Sequence, residues 1–193
     1  MNELKHRDEL PLLLNSLDLV GVGVEVGSCQ GEFADTILKN WNGQKLWLVD
    51  AWRHFQTNIE DINNSDHNKQ LEALIHCFIK MYPYGSRVGI IRDLSVVGAK
   101  LFDDHSLDFV YIDAAHDYES VIQDLISWFP KVKKGGVLAG HDYTFHTVIF
   151  EQNGGYINGV FEVKPAVDEF AKEHTLEIKV TGEDFQPSWW TIV

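Results

Sequence analysis

The sequence predicts an α/β protein with a doubly wound, mostly parallel seven-stranded sheet, an antiparallel C-terminal hairpin strand and helices on both faces. Three observations carry this. Short apolar runs of strand length alternate with stretches whose apolar residues recur at helical spacing. Strand–helix–strand alternation implies crossovers, and crossovers build a parallel sheet covered on both sides. The last two apolar runs are joined only by the short polar connection 181–187, which suits a hairpin and not a crossover.

Each element has its own signal. Residues 1–16 read as a short helical leader, broken or started at Pro11. "LVGVGVEV" (19–26) is a continuous apolar run, the first strand. Phe33, Ala34, Ile37, Leu38 and Trp41 then recur at helical spacing. "KLWLVD" (45–50) is a second strand that ends in an acid. Leu71, Leu74, Ile75, Phe78, Ile79 and Tyr82 form a helical stripe closed by Pro83 and Gly85. "VGII" (88–91) is the third strand, with a short helix after Asp93. "LDFVYID" (107–113) is the fourth. Val121, Ile122, Leu125, Ile126 and Phe129 mark a helix ended by Pro130. "GGVLAG" (135–140) is the fifth strand. A helix near 166–172 leads to "LEIKV" and "SWWTIV", the closing pair. Two stretches, 52–68 and 144–162, are polar without a clear period and read as long loops, either lids or surface insertions.

The chain has 193 residues, which fits one domain (1–193). Its net charge of -13 disfavours nucleic acid or an anionic membrane as the main partner, because both need a basic surface. Lys131, Lys133 and Lys134 form only a small basic group. Cys29 and Cys77 make no C-x-x-C pair, so a zinc knuckle or redox pair is not expected, and two free thiols suit a reducing compartment. The N-terminus is charged and lacks an apolar signal core. A soluble, cytoplasmic protein is the expectation. Trp189 and Trp190 read as exposed aromatics that could serve a homo-oligomer.

Four acids, Glu25, Asp50, Asp93 and Asp113, fall at or near the carboxyl ends of the predicted strands, where doubly wound sheets bind ligands. The turn after the first strand is Gly27-Ser28-Cys29-Gln30-Gly31. This G-x-x-x-G spacing is not the G-x-G-x-x-G of a dinucleotide site. An acid two residues before the turn would repel a pyrophosphate and suits a ligand that is cationic at that point. Asp50 can accept both hydroxyls of a ribose. Cys29 has no paired base in view and is not read as a nucleophile.

"EVGSCQG", "LVDAW" and "LDFVYIDAAHDYESVIQDLISWFPKVKKGGVLAGHDY", with "GVFEVKPAVDEF" beyond, resemble the motifs of class I S-adenosylmethionine-dependent methyltransferases. They are similar to a small-molecule O-methyltransferase subgroup, the methyltransferase domain 24 type. The resemblance covers roughly residues 19–172 and implies a Rossmann-like fold. It also implies that Glu25, Gly27, Ser28 and Gly31 line the methionine part of the cofactor. By the same resemblance Asp50 holds the ribose, Ala51 and Trp52 flank the adenine, and Asp93 and Leu94 lie near its other edge.

Asp113 ends the fourth predicted strand, and His141 and Asp142 follow the fifth. Neighbouring strands would gather these ends, with His116 close by, over the cofactor's methyl group. Two chemistries fit. Asp113, His141 and Asp142 could hold magnesium or another divalent ion that lowers the pKa of a substrate hydroxyl. Alternatively His116 or His141 is the general base, oriented by Asp113. Metal-dependent relatives carry an acid–amide pair where this chain has His141-Asp142, so the histidine departs from their pattern. The expected activity is methyl transfer to a hydroxyl of a small molecule, such as a sugar or natural product. His54, Phe55, Gln56 and Asn58 in the first loop, and His146 in the second, are candidates for touching substrate. The rivals are a non-catalytic S-adenosylmethionine-binding scaffold and a nicotinamide-dependent oxidoreductase, which lacks its turn here.

Overall fold

The computed structural model describes residues 4–55, 66–152 and 155–193. Its main sheet has seven strands in the order β3-β2-β1-β4-β5-β9-β8. These are β1 (Val22–Val26), β2 (Lys45–Asp50), β3 (Val88–Arg92), β4 (Leu107–Ile112), β5 (Val132–Gly140), β8 (Lys179–Val180) and β9 (Trp189–Ile192). The first five run parallel, and β9 is antiparallel to both β5 and β8. The expected hairpin is therefore present, with its second strand inserted beside β5 and its first strand left at the edge. β5 starts at Val132, earlier than the apolar run suggested, because Lys133 and Lys134 sit in the strand with their charges outward. Lys133 pairs with Asp108, and Lys131 with Asp104, so two of the three clustered lysines have acidic partners.

Alternation along the strands sorts side chains onto two faces. Leu46, Leu48, Phe109, Tyr111, Val137, Ala139 and Trp190 point to one. That face is covered by α1 (Leu10–Ser16), α2 (Glu32–Asn40) and α3 (His67–Met81). Val24, Val26, Val49, Val110, Ile112, Leu138 and Trp189 point to the other. There α5 (Tyr118–Trp128) and α6 (Val163–His174) supply Val121, Leu125, Trp128, Ala166, Val167 and Phe170, and the short α4 (Ser95–Gly98) leads to Ala99. Trp189 and Trp190 are 2% and 1% exposed, one on each face, which corrects their reading as surface aromatics for an oligomer. Each lies on β9, which is covered on both sides.

Two further expectations change. The stretch 144–162 is not a loop. It holds an antiparallel pair, β6 (His146–Gln152) and β7 (Gly155–Phe161), separate from the main sheet. Its glycine content hid the strands from a periodicity reading. On α3 the buried side chains are Ala73, Leu74, Cys77 and Met81. Leu71, Ile75, Phe78, Ile79 and Tyr82 are exposed. Of the expected stripe only Leu74 is buried; the seated face is rotated toward Ala73, Cys77 and Met81, the last two packing beside Gly31 at the start of α2. Of the stretch 52–68, residues 56–65, including Gln56 and Asn58, lie outside the described residues. Among the described residues no helix is long and apolar enough to cross a membrane.

Phe109 is fully buried at the centre of the first face, edge-on to Trp41 with ring centroids 5.0 Å apart, and it fills the space left by Gly23. Phe109→Ala is expected to cost about 3–5 kcal/mol of stability in urea unfolding, the range for an aromatic cavity that cannot collapse.

Candidate active site

The site is assembled by hydrogen bonds that carry the sheet ladder one residue past its strands. Asp93 N–H donates to the Asp50 carbonyl at 3.1 Å, Gly27 to Val49 at 2.8 Å, Asp113 to Val26 at 2.8 Å and His141 to Ile112 at 2.9 Å. The residues just beyond β3, β1, β4 and β5 are thereby held in one row. Strand order reverses between β1 and β4, so Gly27 and Asp113 flank the crevice where such sheets bind ligands.

The glycine turn is tightly built. Gly27 and Gly31 have φ of 85° and 79°, and a Cβ on Gly27 would collide with the Asp113 carbonyl. Asp50 anchors the turn: its Oδ2 accepts from Cys29 N–H at 2.9 Å and its Oδ1 from Trp52 N–H at 2.8 Å. The Trp52 indole N–H donates to the Cys29 carbonyl at 2.8 Å, and the ring is 1% exposed. Trp52 is thus a core residue that braces the turn. Cys29 and Trp52 hold positive φ, 46° and 40°, a strained conformation for such residues. Ser28 is buried, with its hydroxyl 3.4 Å from the Glu25 carbonyl. Ala51 is half-buried beside Asp50. Asp93 is exposed and accepts from Leu94 N–H at 2.8 Å, which turns the chain into α4.

Glu25 is buried beneath this turn, and its Oε2 makes no hydrogen bond among the described residues. Burial pushes its carboxyl up to about 8; a hydrogen bond from Ser28 and the charge of Arg7 oppose that, while Asp113 and Asp50 add to it. A buried carboxyl oxygen without a donor, beside a glycine turn, fits a ligand that brings a cation.

Asp142 has the opposite fate. Burial alone would raise its pKa, but His116 and His141 hold the carboxyl well below the usual carboxylate range. His116 Nε2 lies 2.9 Å from Asp142 Oδ2, and His141 Nδ1 lies 3.2 Å from Oδ1. Both imidazoles are 3.9 Å from Asp113 Oδ1. Asp142 adopts φ 54°, a left-handed conformation that aspartate tolerates better than most residues. His116 is fixed by stacking on Phe161 at 4.7 Å, and its carbonyl accepts from Glu162 N–H at 2.8 Å. Phe161 also stacks on His146, so the β6–β7 pair abuts the cluster. His54 is exposed.

Sequence reasoning missed Phe161, Glu162 and Arg7. Arg7 Nη1 reaches Asp113 Oδ2 at 3.5 Å, and its guanidinium lies 5.0 Å over the Phe33 ring. Arg7 lies in no motif; Phe161 and Glu162 lie within the GVFEVKPAVDEF segment, but only folding places them beside His116.

A doubly wound sheet places its ligand crevice at this switch point, and the glycine spacing differs from that of dinucleotide binders. The sequence matches the methyltransferase domain family, type 24, over residues 24–143, and the chain belongs to that family of class I S-adenosylmethionine-dependent methyltransferases. No curated protein matches the sequence significantly. Among solved structures, a candidate caffeoyl-CoA O-methyltransferase from Staphylococcus aureus is similar with TM-score 0.65 and 12% identity, spanning 96% of this chain and 82% of its own. An O-methyltransferase family protein from Burkholderia thailandensis gives 0.64 and 11%, over 96% and 54%. A precorrin 8w decarboxylase from Methanobacterium thermoautotrophicum gives 0.59 and 14%, over 96% and 90%. At these identities the likeness is one of fold, and the decarboxylase illustrates that this fold hosts more than one reaction.

Between about pH 4.5 and 8 the folded chain keeps a proton on Glu25 that the unfolded chain has released, so raising the pH favours unfolding. Wild type is therefore expected to lose stability relative to Glu25→Gln as pH rises through that window, read by urea titration. Parallel curves would mean that Glu25 is ionised in the folded chain. Gly27→Ala is expected to abolish binding of S-adenosylhomocysteine in calorimetry, because positive φ and the Asp113 carbonyl together forbid a Cβ.

Proposed function

We propose that this protein transfers the methyl group of S-adenosylmethionine to a hydroxyl of a small molecule, such as a sugar or natural product. The observation that carries this reading is the His141–Asp142 pair beside Asp113, next to the Glu25 turn. When bound, S-adenosylmethionine supplies an electrophilic methyl on a sulfonium. In this reading Glu25 receives the ammonium of the methionine part, and Gly27, Ser28 and Gly31 let the backbone approach it. Asp50, whose two oxygens accept from Cys29 and Trp52 N–H, is the acid that faces the ribose hydroxyls in this reading. Ala51, Asp93 and Leu94 border the adenine, with Trp52 bracing that wall from within the core.

His141 is the base. Its Nδ1 lies 3.2 Å from Asp142 Oδ1 and 3.9 Å from Asp113 Oδ1, while its Nε2 makes no ion pair or hydrogen bond among the described residues. Nε2 takes the hydroxyl proton as the oxygen–methyl bond forms and the sulfur–methyl bond breaks. The resulting imidazolium is stabilised by two carboxylates, and His116 keeps Asp142 in place from its other oxygen.

A second reading has its own observation. Asp113, His141 and Asp142 offer donor atoms within 4.8 Å of one another. Two carboxylate oxygens and one imidazole nitrogen fit magnesium or a similar divalent ion. Such an ion would lower the pKa of the substrate hydroxyl and hold its oxygen.

The test is release of S-adenosylhomocysteine from S-adenosylmethionine with a panel of hydroxylated acceptors, with EDTA or added magnesium. Turnover that survives EDTA and falls about a hundredfold or more in Asp142→Asn supports the His141 base. Loss with EDTA and recovery with magnesium supports the metal. A protein that binds S-adenosylmethionine yet methylates no hydroxyl in the panel, but methylates an amine or carbon acid, would overturn O-methyl transfer.

A further inference from the structure

We propose that the N-terminal leader supplies a cofactor-binding residue, with the Arg7 guanidinium holding the carboxylate of the methionine moiety. This rests on the S-adenosylmethionine reading above. The methionine end of that ligand is a zwitterion. Its ammonium has a partner in Glu25, but its carboxylate enters a crevice that already carries the acids Asp50, Asp93 and Asp113. Without a cation the carboxylate would be repelled. Among the described residues, Arg7 is the lysine or arginine paired with this cluster: it touches Asp113 and its charge reaches Glu25.

The leader is built to present this side chain. Leu4 and Leu10, on either side of Arg7, are buried in the first core. The Leu4 carbonyl accepts from Gly182 N–H at 3.1 Å, and His6 Nε2 pairs with Glu183 at 3.0 Å. A short 3-10 turn, Arg7–Glu9, is capped by the His6 ring accepting from Asp8 N–H at 3.2 Å. The backbone is thus pinned to the connection between β8 and β9, and Arg7 can only project across the ring of Phe33 toward the end of β4. Its contact with Asp113, at 3.5 Å, is loose for a charge-assisted pair. Five N–H donors in a planar fork leave donors for a second carboxylate, and Phe33 supports the fork from below. Arg7 and Glu25 together would recognise the two charges of an amino acid end-on.

Calorimetric titration with S-adenosylhomocysteine and with its decarboxylated counterpart, which keeps the adenosine, thioether and amine, tests this without turnover. Wild type is expected to prefer the carboxylate-bearing ligand by about tenfold or more, in line with a charge-assisted pair. Arg7→Gln is expected to erase that preference by weakening S-adenosylhomocysteine alone, and Arg7→Lys to restore part of it. A wild type that binds both ligands equally overturns the proposal, whatever the variants do. So does an Arg7→Gln protein that keeps the preference or weakens both ligands alike, with its melting temperature showing that it is folded. A wild type that binds neither ligand instead overturns the S-adenosylmethionine reading, and the role of Arg7 with it.

Discussion

Everything at this site depends on the stagger of the parallel ladder. In a parallel pair, the N–H that follows one strand finds the last carbonyls of its neighbour. Here that happens four times along one edge of the sheet, through Asp93, Gly27, Asp113 and His141. Each of these bonds satisfies a donor that would otherwise be lost at a strand end, so the row is held by the same interaction that builds the sheet. Residues distant in the chain are aligned within one residue of register, without any side chain choosing another. A one-residue slip of β5 would turn Asp142 toward the row and His141 away from it.

On that frame, two buried carboxyls have been given opposite characters. Glu25 and Asp142 are both shielded from water, and burial raises the pKa of each. Asp142 receives two imidazoles and stays ionised. Glu25 receives no donor at its Oε2, and burial pushes its carboxyl up to about 8. The first is an anion held between two imidazoles, which can stabilise a neighbouring positive charge. The second completes itself only when a cation arrives. In the proposed reading, separation of this kind, by environment and not by residue type, would let one crevice do both binding and proton chemistry.

The helices and strands of the core do not close the site. Three outlying pieces do: the leader with Arg7, the Phe161–Glu162 end of the β6–β7 pair, and the turn held by Trp52. Each is anchored in the core and reaches the row from outside it. Leu4 and Leu10 anchor the first, and Phe161 is itself buried. Trp52 serves the turn from inside the fold, through its indole N–H to Cys29. A residue near a ligand site can therefore be indispensable to its shape while presenting no polar atom to the ligand.

Strand runs, helical stripes and the G-x-x-x-G turn are local, and the sequence by itself determined them: the doubly wound sheet, its antiparallel end and the positions of Glu25, Gly27, Asp50, Asp113, His141 and Asp142. Periodicity and turn chemistry act over a few residues, so they can be read from a few residues. The tertiary structure alone decided which apolar surfaces would be covered. Trp189 and Trp190 look like surface aromatics until β9 is placed between β5 and β8, and most of the apolar stripe of α3 is exposed while Ala73, Leu74, Cys77 and Met81 are covered. It also decided which groups would charge one another. Strand order placed His116 and Asp142 at one mouth, but not which of their atoms would meet, and the pairing of Arg7 with Asp113 spans a chain separation over which no sequence pattern carries information.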